Sequence, residues 1–500
     1  MKKSVYLAFS VLMVLAMVLA ACAPAATQAP VVEPTQPAAA PTQPAAAPAE
    51  PTQPAAAAAA TATKPAPAPT ATILPPKNEN ATKVAFWHSM SGDLGGKAIP
   101  QMVNDFNTSQ DQCYVTPTYQ GSYDDGLNKL KAGLQSNNTP AIMQLYDIGT
   151  RLMVDLGVAT PVQDFIDKEK YDLSDLEPNV LSYYTVNNKL WSMPFNTSTP
   201  LLYYNKDMFK AAGLDPNTPP RTFDDVVADA TKLTQKDSSG KTSVYGVSFA
   251  IYGWFFEQFL AVSGGYYVDN NNGRDALATK ATFNSPEGVK ILDWWKSMYD
   301  QGIEGNFGRQ TVDTRNAFLA GKTAMIIDST AVLRGVMDGA QGKFEVGTGY
   351  LPRPNEDAYK TAGTIIGGGS LWIINNRPQA EQDCAWQFIK FVTTPKEQAY
   401  WQTMSGYFPS RKSAYTDPQA VAWMDKYPQF KTAIDQLHLA PNNRITQGGL
   451  IGVFPSARQT VETAIEEVLA GKGTPQSALD NAAQTVTQAI QDYNTSMGLK

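Results

Sequence analysis

Val84-Ala85-Phe86-Trp87, Cys113-Tyr114-Val115 and Ala141-Ile142-Met143-Gln144-Leu145-Tyr146 are three short apolar runs. Their length and their β-branched and aromatic content read as strands. Between the first two, Ile99, Met102, Val103 and Phe106 recur at helical spacing. Between the second and third, Leu127, Leu130 and Leu134 do the same. Strand and helix alternate, which predicts a parallel sheet with helices on its faces. In such a sheet a ligand sits beyond the carboxyl ends of the strands.

The later sequence has the same texture. Thr222 with Asp225 three residues on forms a capping-box pattern ahead of Val226, Val227 and Leu233. Ser285-Pro286-Glu287 reads as an N-cap, an N1 proline and a first-turn acid, and Gly302 as the helix stop. Trp294 and Trp295 on that helix read as core. Ala324-Met325-Ile326-Ile327 and Leu371-Trp372-Ile373-Ile374 read as buried strands, and Thr460 to Ala470 as a late helix.

The N-terminal part is different. Lys2 and Lys3 precede an apolar run from Val5 to Leu19, the pattern of an export signal over residues 1–21. Leu19-Ala20-Ala21-Cys22 resembles a bacterial lipobox, which implies a lipid anchor on Cys22. Residues 22–81 are rich in Pro and Ala, with Pro-Thr-Gln-Pro-Ala-Ala-Ala starting at Pro34, Pro41 and Pro51. Such a segment buries too little surface to offset chain entropy, and reads as a disordered tether.

Composition excludes several functions. The 500 residues carry a net charge of −6, and loss of residues 1–21 removes two lysines and no acid, giving −8. No basic surface for nucleic acid is expected, and an anchor rather than charge would hold the chain at a membrane. Two histidines and three cysteines are too few for zinc or iron–sulfur clusters, so no metal and no cofactor is expected. Gly321-Lys322-Thr323 lacks the first glycine of a phosphate-binding loop, since position 316 is Asn, and reads as a turn. Asp124 and Asp125 are adjacent on one chain, so they read as a solvated helix start rather than a glycosidase pair. Cys113 and Cys384 are one disulfide or two buried thiols, and the thiols are favoured. With no nucleophile elbow, zinc motif or paired acid and base, no catalysis is expected. What remains is aromatics, hydroxyls, glycines and one arginine at element ends, the chemistry of a small-ligand clamp.

Several stretches carry a family resemblance. They are Phe86-Trp87-His88-Ser89-Met90, Gly121-Ser122-Tyr123, Tyr146-Asp147, Pro194-Phe195-Asn196-Thr197-Ser198-Thr199-Pro200 and Leu202-Tyr203-Tyr204-Asn205-Lys206-Asp207. Ile365-Ile366-Gly367-Gly368-Gly369-Ser370 and Ser405-Gly406-Tyr407-Phe408-Pro409 belong to the same set. Together they resemble extracellular solute-binding family 1, in its glycerol 3-phosphate-binding branch of bacterial ABC importer receptors.

The resemblance implies an α/β, two-lobed periplasmic-binding-protein fold of the maltose-binding-protein type, with three hinge crossovers. One lobe would hold residues 83–197 and 367–406, the other 200–364 and 410–500. It also implies a ligand site of Tyr123, Asp147, Ser198, Trp254, Ser329, Gly368, Tyr407 and Arg458. Arg458 would pair with phosphate, and Asp147 would accept from glycerol hydroxyls. Asp147 is shorter than the family's usual Glu, Ile251 replaces a second cleft tryptophan, and Asp328 puts a carboxylate beside Ser329. Trp87 and His88 read as packing near the cleft. The expected partners are a small-molecule ligand, an ABC permease and the membrane through Cys22; nucleic acid is not one, and the receptor would act as a monomer. A neutral sugar or oligosaccharide is the alternative ligand. A glycerophosphodiester hydrolase lacks the needed metal or histidine, and a wall-tethered adhesion module leaves the cleft motifs unexplained.

Overall fold

The computed structural model of the protein describes residues 72–499. The proposed export signal, Cys22 and the tether as far as residue 71 lie outside the described residues. Residues 72–81, read from sequence as the end of the tether, are laid against the body. Asn104 Oδ1 accepts from the Leu74 N–H at 2.9 Å, Tyr114 OH donates to the Leu74 carbonyl, and Asn78 Nδ2 donates to the Asp111 carbonyl. Ile73 packs on the core. The pattern of prolines hid these few anchors, which only a folded surface supplies.

A six-stranded sheet forms one half of the body. Its strands are β1 (Thr82–His88), β2 (Cys113–Tyr119), β3 (Ile142–Tyr146), β4 (Ala159–Thr160), β5 (Met193–Ser198) and the late strand Gly367–Ile374. The second half is built on β6 (Pro200–Asn205), β7 (Met325–Ser329) and β8 (Val346–Gly349), so the late strand is β9. The first sheet runs β2-β1-β3-β9-β4, with β5 also paired to β9. Only β2, β1 and β3 are parallel; β9 runs antiparallel to β3, β4 and β5. The parallel arrangement expected of the first three strands is present, and the late strand, for which the sequence carried no sign of direction, makes the sheet mixed. Strand β9 arrives from the second half of the chain rather than through a helical crossover beside β3, so nothing obliges it to run parallel. The second sheet is antiparallel, in the order β7-β6-β8.

One residue, Thr199, separates β5 from β6. The chain returns between Gly349 and Gly367, and crosses a third time between the helix Gln379–Val392 on the first sheet and the helix Gln429–Leu439 on the second.

Local signals worked where they were read. Thr222 Oγ1 and Asp225 complete their capping box, and Ser285 caps the helix Pro286–Asp300. Trp295 is buried and Trp294 stacks on Phe223 at 4.1 Å. Gly302 has φ +69 beyond that helix, a backbone conformation that favours glycine. Cys113 on β2 and Cys384 on the helix Gln379–Val392 are joined as a disulfide. This corrects the reading as two thiols; at a sequence separation of 271, the sequence had no means of placing one beside the other.

Beyond the β7 edge of the second sheet, where Ser248 bridges Ile326 and Val247 bridges Glu304, Glu304 is 1% exposed and accepts from the Phe249 N–H at 3.2 Å. Burial pushes its carboxyl up to about 8. A folded value above the unfolded one gives stability that is present below the ordinary carboxylate range and is lost as pH rises through about 8. Glu304→Gln should therefore remove part of the alkaline loss of stability, roughly 1.4 kcal/mol per pH unit titrated. Thermal unfolding from pH 5 to 9 checks this; equal pH dependence in the two proteins would contradict it.

Candidate functional site

The cleft between the two halves has a volume of about 640 Å³. Volume alone does not single it out, since a cavity near Arg151, Asn188, Arg274 and Arg444 is as large. What distinguishes the cleft is convergence: Tyr123, Asp147, Ser198, Trp254, Ser329, Gly368, Tyr407 and Arg458 all line it.

Each is held there by local structure. Tyr123 opens the helix Tyr123–Ser136, whose N-cap Ser122 forms a capping box with Asp125. Gln144 Nε2 donates to Asn196 Oδ1 at 2.7 Å, and Asn196 Nδ2 donates to the Tyr123 hydroxyl at 2.8 Å. The Tyr123 ring stacks on Tyr146 at 5.1 Å. Asp147 leaves the carboxyl end of β3, where a parallel arrangement puts ligand groups. Ser198 ends β5 and pairs with Gly367. Gly368 has φ +91, and a Cβ there would lie 1.8 Å from the Asn196 carbonyl oxygen. Any side chain would push β9 off β5, so the cleft wall needs glycine at this point. Ser329 ends β7 and accepts from the Ala331 N–H. Tyr407 stacks on Trp401 at 5.8 Å.

Trp254 is on the helix Gly253–Val262, which is buried along its whole length. Its Nε1 has no hydrogen-bond partner among the described residues, so an indole donor is available at the cleft wall. His88 is buried beneath the cleft, with its pKa lowered to about 4 by burial, and remains neutral packing.

Arg458 stands in the helix Phe454–Leu469 and is 6% exposed. Its Nε donates to Glu257 Oε2 at 2.9 Å, and its Nη2 lies 2.9 Å from that oxygen and 3.5 Å from Asp147 Oδ2. Burial lowers its pKa, but the two carboxylates outweigh that and raise it, so Arg458 is permanently charged. Burial raises both acids in turn, Asp147 in direction and Glu257 to about 7. Glu257 was missed from sequence, although a lone acid on so apolar a helix is itself a sign of a buried ion pair.

Asp328 also has a partner. Arg315 Nη1 donates to Asp328 Oδ2 at 2.9 Å, and the Ser329 N–H donates to Oδ1. Its charge is compensated from behind the cleft wall. Asp124 is an exposed first-turn acid, as read; it also lines the cleft and accepts from the Tyr146 hydroxyl at 2.6 Å. Arg309 and Glu462 complete the rim and form an ion pair at 3.2 Å. Four acids and two arginines therefore line the cleft. Aromatic faces, hydroxyls, carboxylates and one buried cation suit a polar ligand with hydroxyl groups. Among the described residues no group of His, Cys, Asp and Glu is placed to hold a metal.

The sequence matches the family model of the bacterial extracellular solute-binding proteins over residues 101–432. It is 34% identical to the sn-glycerol-3-phosphate-binding periplasmic protein of Escherichia coli K12 over 420 residues, covering 83% of this chain and 94% of that protein. This chain belongs to the bacterial extracellular solute-binding proteins. Among solved members of the fold, UgpB from Mycobacterium tuberculosis in complex with glycerophosphocholine superposes with a TM-score of 0.69 at 23% identity, covering 83% of this chain and 100% of that one. The cyclic α-maltosyl-1,6-maltose binding protein from Arthrobacter globiformis superposes with a TM-score of 0.67 at 24% identity, covering 82% of this chain and 100% of that one. This solute-binding protein therefore has the two-lobed α/β fold of the maltose-binding type. Like its relatives it is a receptor that binds a small molecule for an ABC importer rather than an enzyme. No helix of the described residues is long and apolar enough to cross a membrane.

Proposed function

We propose that this receptor binds glycerol 3-phosphate or a glycerophosphodiester. It presents the ligand to its permease as a monomer held at the membrane by the lipid on Cys22. The observation that carries the reading is Arg458: a buried guanidinium lining the cleft, whose Nη2 is ion-paired with Glu257 Oε2 at 2.9 Å and stands 3.5 Å from Asp147 Oδ2 without completing a hydrogen bond to either. A phosphate oxygen there accepts a charge-assisted hydrogen bond. The hydroxyls of Ser198 and Ser329 and the indole of Trp254 surround the same space. Asp147 and Asp124 offer acceptors for glycerol hydroxyls. The relative from Escherichia coli, named for sn-glycerol 3-phosphate, and the structure holding glycerophosphocholine support this ligand class. We divide the body into lobes of residues 83–197 with 367–406 and 200–364 with 410–500, hinged at the crossovers.

The excess of acids over arginines favours a second reading, a neutral sugar whose hydroxyls donate to Asp124 and Asp147. Calorimetric titration with glycerol 3-phosphate, glycerophosphoglycerol and maltose separates the two, alongside Asp328→Asn. For a phosphate ligand, Asp328→Asn leaves Arg315 unopposed near the site and should tighten binding several-fold. Binding of maltose with no response to either phosphate compound rejects the first reading.

A further inference from the structure

Glu257 is the one acid of the cluster that no feature of the ligand class calls for. It is 1% exposed, and its Oε1 has no hydrogen-bond partner among the described residues. Asp147 Oδ2 and Arg458 Nη2 complete no hydrogen bond either, although they are ion-paired, with Nη2 3.5 Å from Asp147 Oδ2 and 2.9 Å from Glu257 Oε2. Two carboxylates thus face one guanidinium in a cluster buried at the cleft wall. If both are ionised, the cluster carries one negative charge before any ligand arrives. A phosphate placed on Arg458 adds one or two more, and like charges at such distances do not coexist in a buried cluster.

We infer that Glu257 determines which phosphate the cleft accepts: one proton from solvent is taken up on the Asp147–Glu257 pair for each phosphate bound, so a singly charged phosphodiester is preferred to a doubly charged phosphomonoester. The inference rests on the proposed ligand class. The proton has a place to go, the unpartnered oxygen of Glu257. The Nε of Arg458 holds the other oxygen and fixes the carboxyl.

The surrounding groups leave this pair as the one that titrates. Glu462 sits one turn beyond Arg458 and accepts from the Gly253 N–H at 2.9 Å, and Arg309 pairs with it. Burial raises its carboxyl too and Arg309 is shared with Glu466, but Glu462 also holds the Gly253 N–H, whereas Glu257 has only its share of Arg458. Tyr183, Tyr252 and Tyr267 face the cluster from three other segments, and burial raises all three phenols, so they stay neutral. Arg274, beyond Tyr183, donates to the Tyr183, Gln447 and Gly448 carbonyls and is committed there. Burial has already moved Glu257 up to about 7, where modest extra negative charge keeps it protonated.

A complex that holds one more proton than the free protein binds more weakly as pH rises, by about tenfold per pH unit above the free group's pKa. The phosphomonoester has its own second ionisation near 6. Bound as the monoanion, it would lose affinity by about a hundredfold per unit. The test is calorimetry on the full chain at pH 8, in two buffers of different ionisation enthalpy, with titrations repeated from pH 6 to 9. Glycerophosphoglycerol should take up about one proton and glycerol 3-phosphate about two. Glu257→Gln keeps an acceptor for Arg458 Nε but cannot titrate. It should bind the diester with no proton uptake and an affinity flat with pH. Diester binding by the wild-type protein with no proton uptake overturns the inference and leaves the ligand class standing. So does Glu257→Gln with the wild-type proton count. The wild-type count needs no variant, so a misfolded Glu257→Gln does not remove the test. Failure of both phosphate compounds to bind at any pH rejects the ligand class and this inference together.

Discussion

Arg458→Ala is expected to weaken binding of a glycerophosphate by roughly 10- to 150-fold, the worth of a hydrogen bond to a charged group. It should also destabilise the empty protein, because Asp147 and Glu257 lose the cation they face. Breaking a buried pair by removing one partner costs about 3–5 kcal/mol. The sign with pH follows from the acids, whose pKa values already stand above the ordinary carboxylate range. Without Arg458 they rise further, so the loss is smaller at pH 5 than at pH 8. Thermal unfolding at the two pH values measures it. Introducing Glu257→Gln beside Arg458→Ala should recover much of the stability at pH 8 and none of the binding. Unchanged affinity for glycerophosphates in folded Arg458→Ala would mean that the phosphate site lies elsewhere.

The second large effect is at the disulfide. Replacing Cys113 and Cys384 by serine frees a loop spanning 271 residues of sequence. In the chain-entropy account a cross-link over so long a loop contributes about 5 kcal/mol, and removing a native disulfide typically costs 2–5 kcal/mol. The bond ties β2, at the edge of the first sheet, to the helix Gln379–Val392 that follows β9. The first half of the body should therefore unfold at lower temperature in the double serine protein, and in the wild type after reduction. A midpoint indifferent to reduction, with two thiols titrating in the untreated protein, would show that the bond does not form.

The buried charges at the cleft and the disulfide mark where sequence reading stopped. Strands such as β1, β3 and β7 were legible because their apolar runs are short and bounded, and the helices because period and caps agree at Thr222 and Ser285. Those signals are local. The eight residues assigned to the cleft were found through motifs spread from Tyr123 to Arg458, and they do line one cavity. Their partners were not found. Glu257 stands 201 residues from Arg458, and Arg315 thirteen from Asp328 across a turn; nothing in either spacing announces a contact. Asp124 is the exposed first-turn acid that its sequence suggested, and only the approach of Tyr146 shows that it also faces the cleft.

The direction of β9 was beyond reach for the same reason: an apolar strand is equally apolar run either way, and direction is set by the route through the other half of the body. By itself, the sequence determined the elements through periodicity and capping, and, through its resemblance to a known family, eight of the residues that line the cleft. The tertiary structure alone decided which charges are compensated, because compensation is a matter of distance in a dry interior. There, 3 Å between Arg458 and Glu257 outweighs two hundred residues of separation.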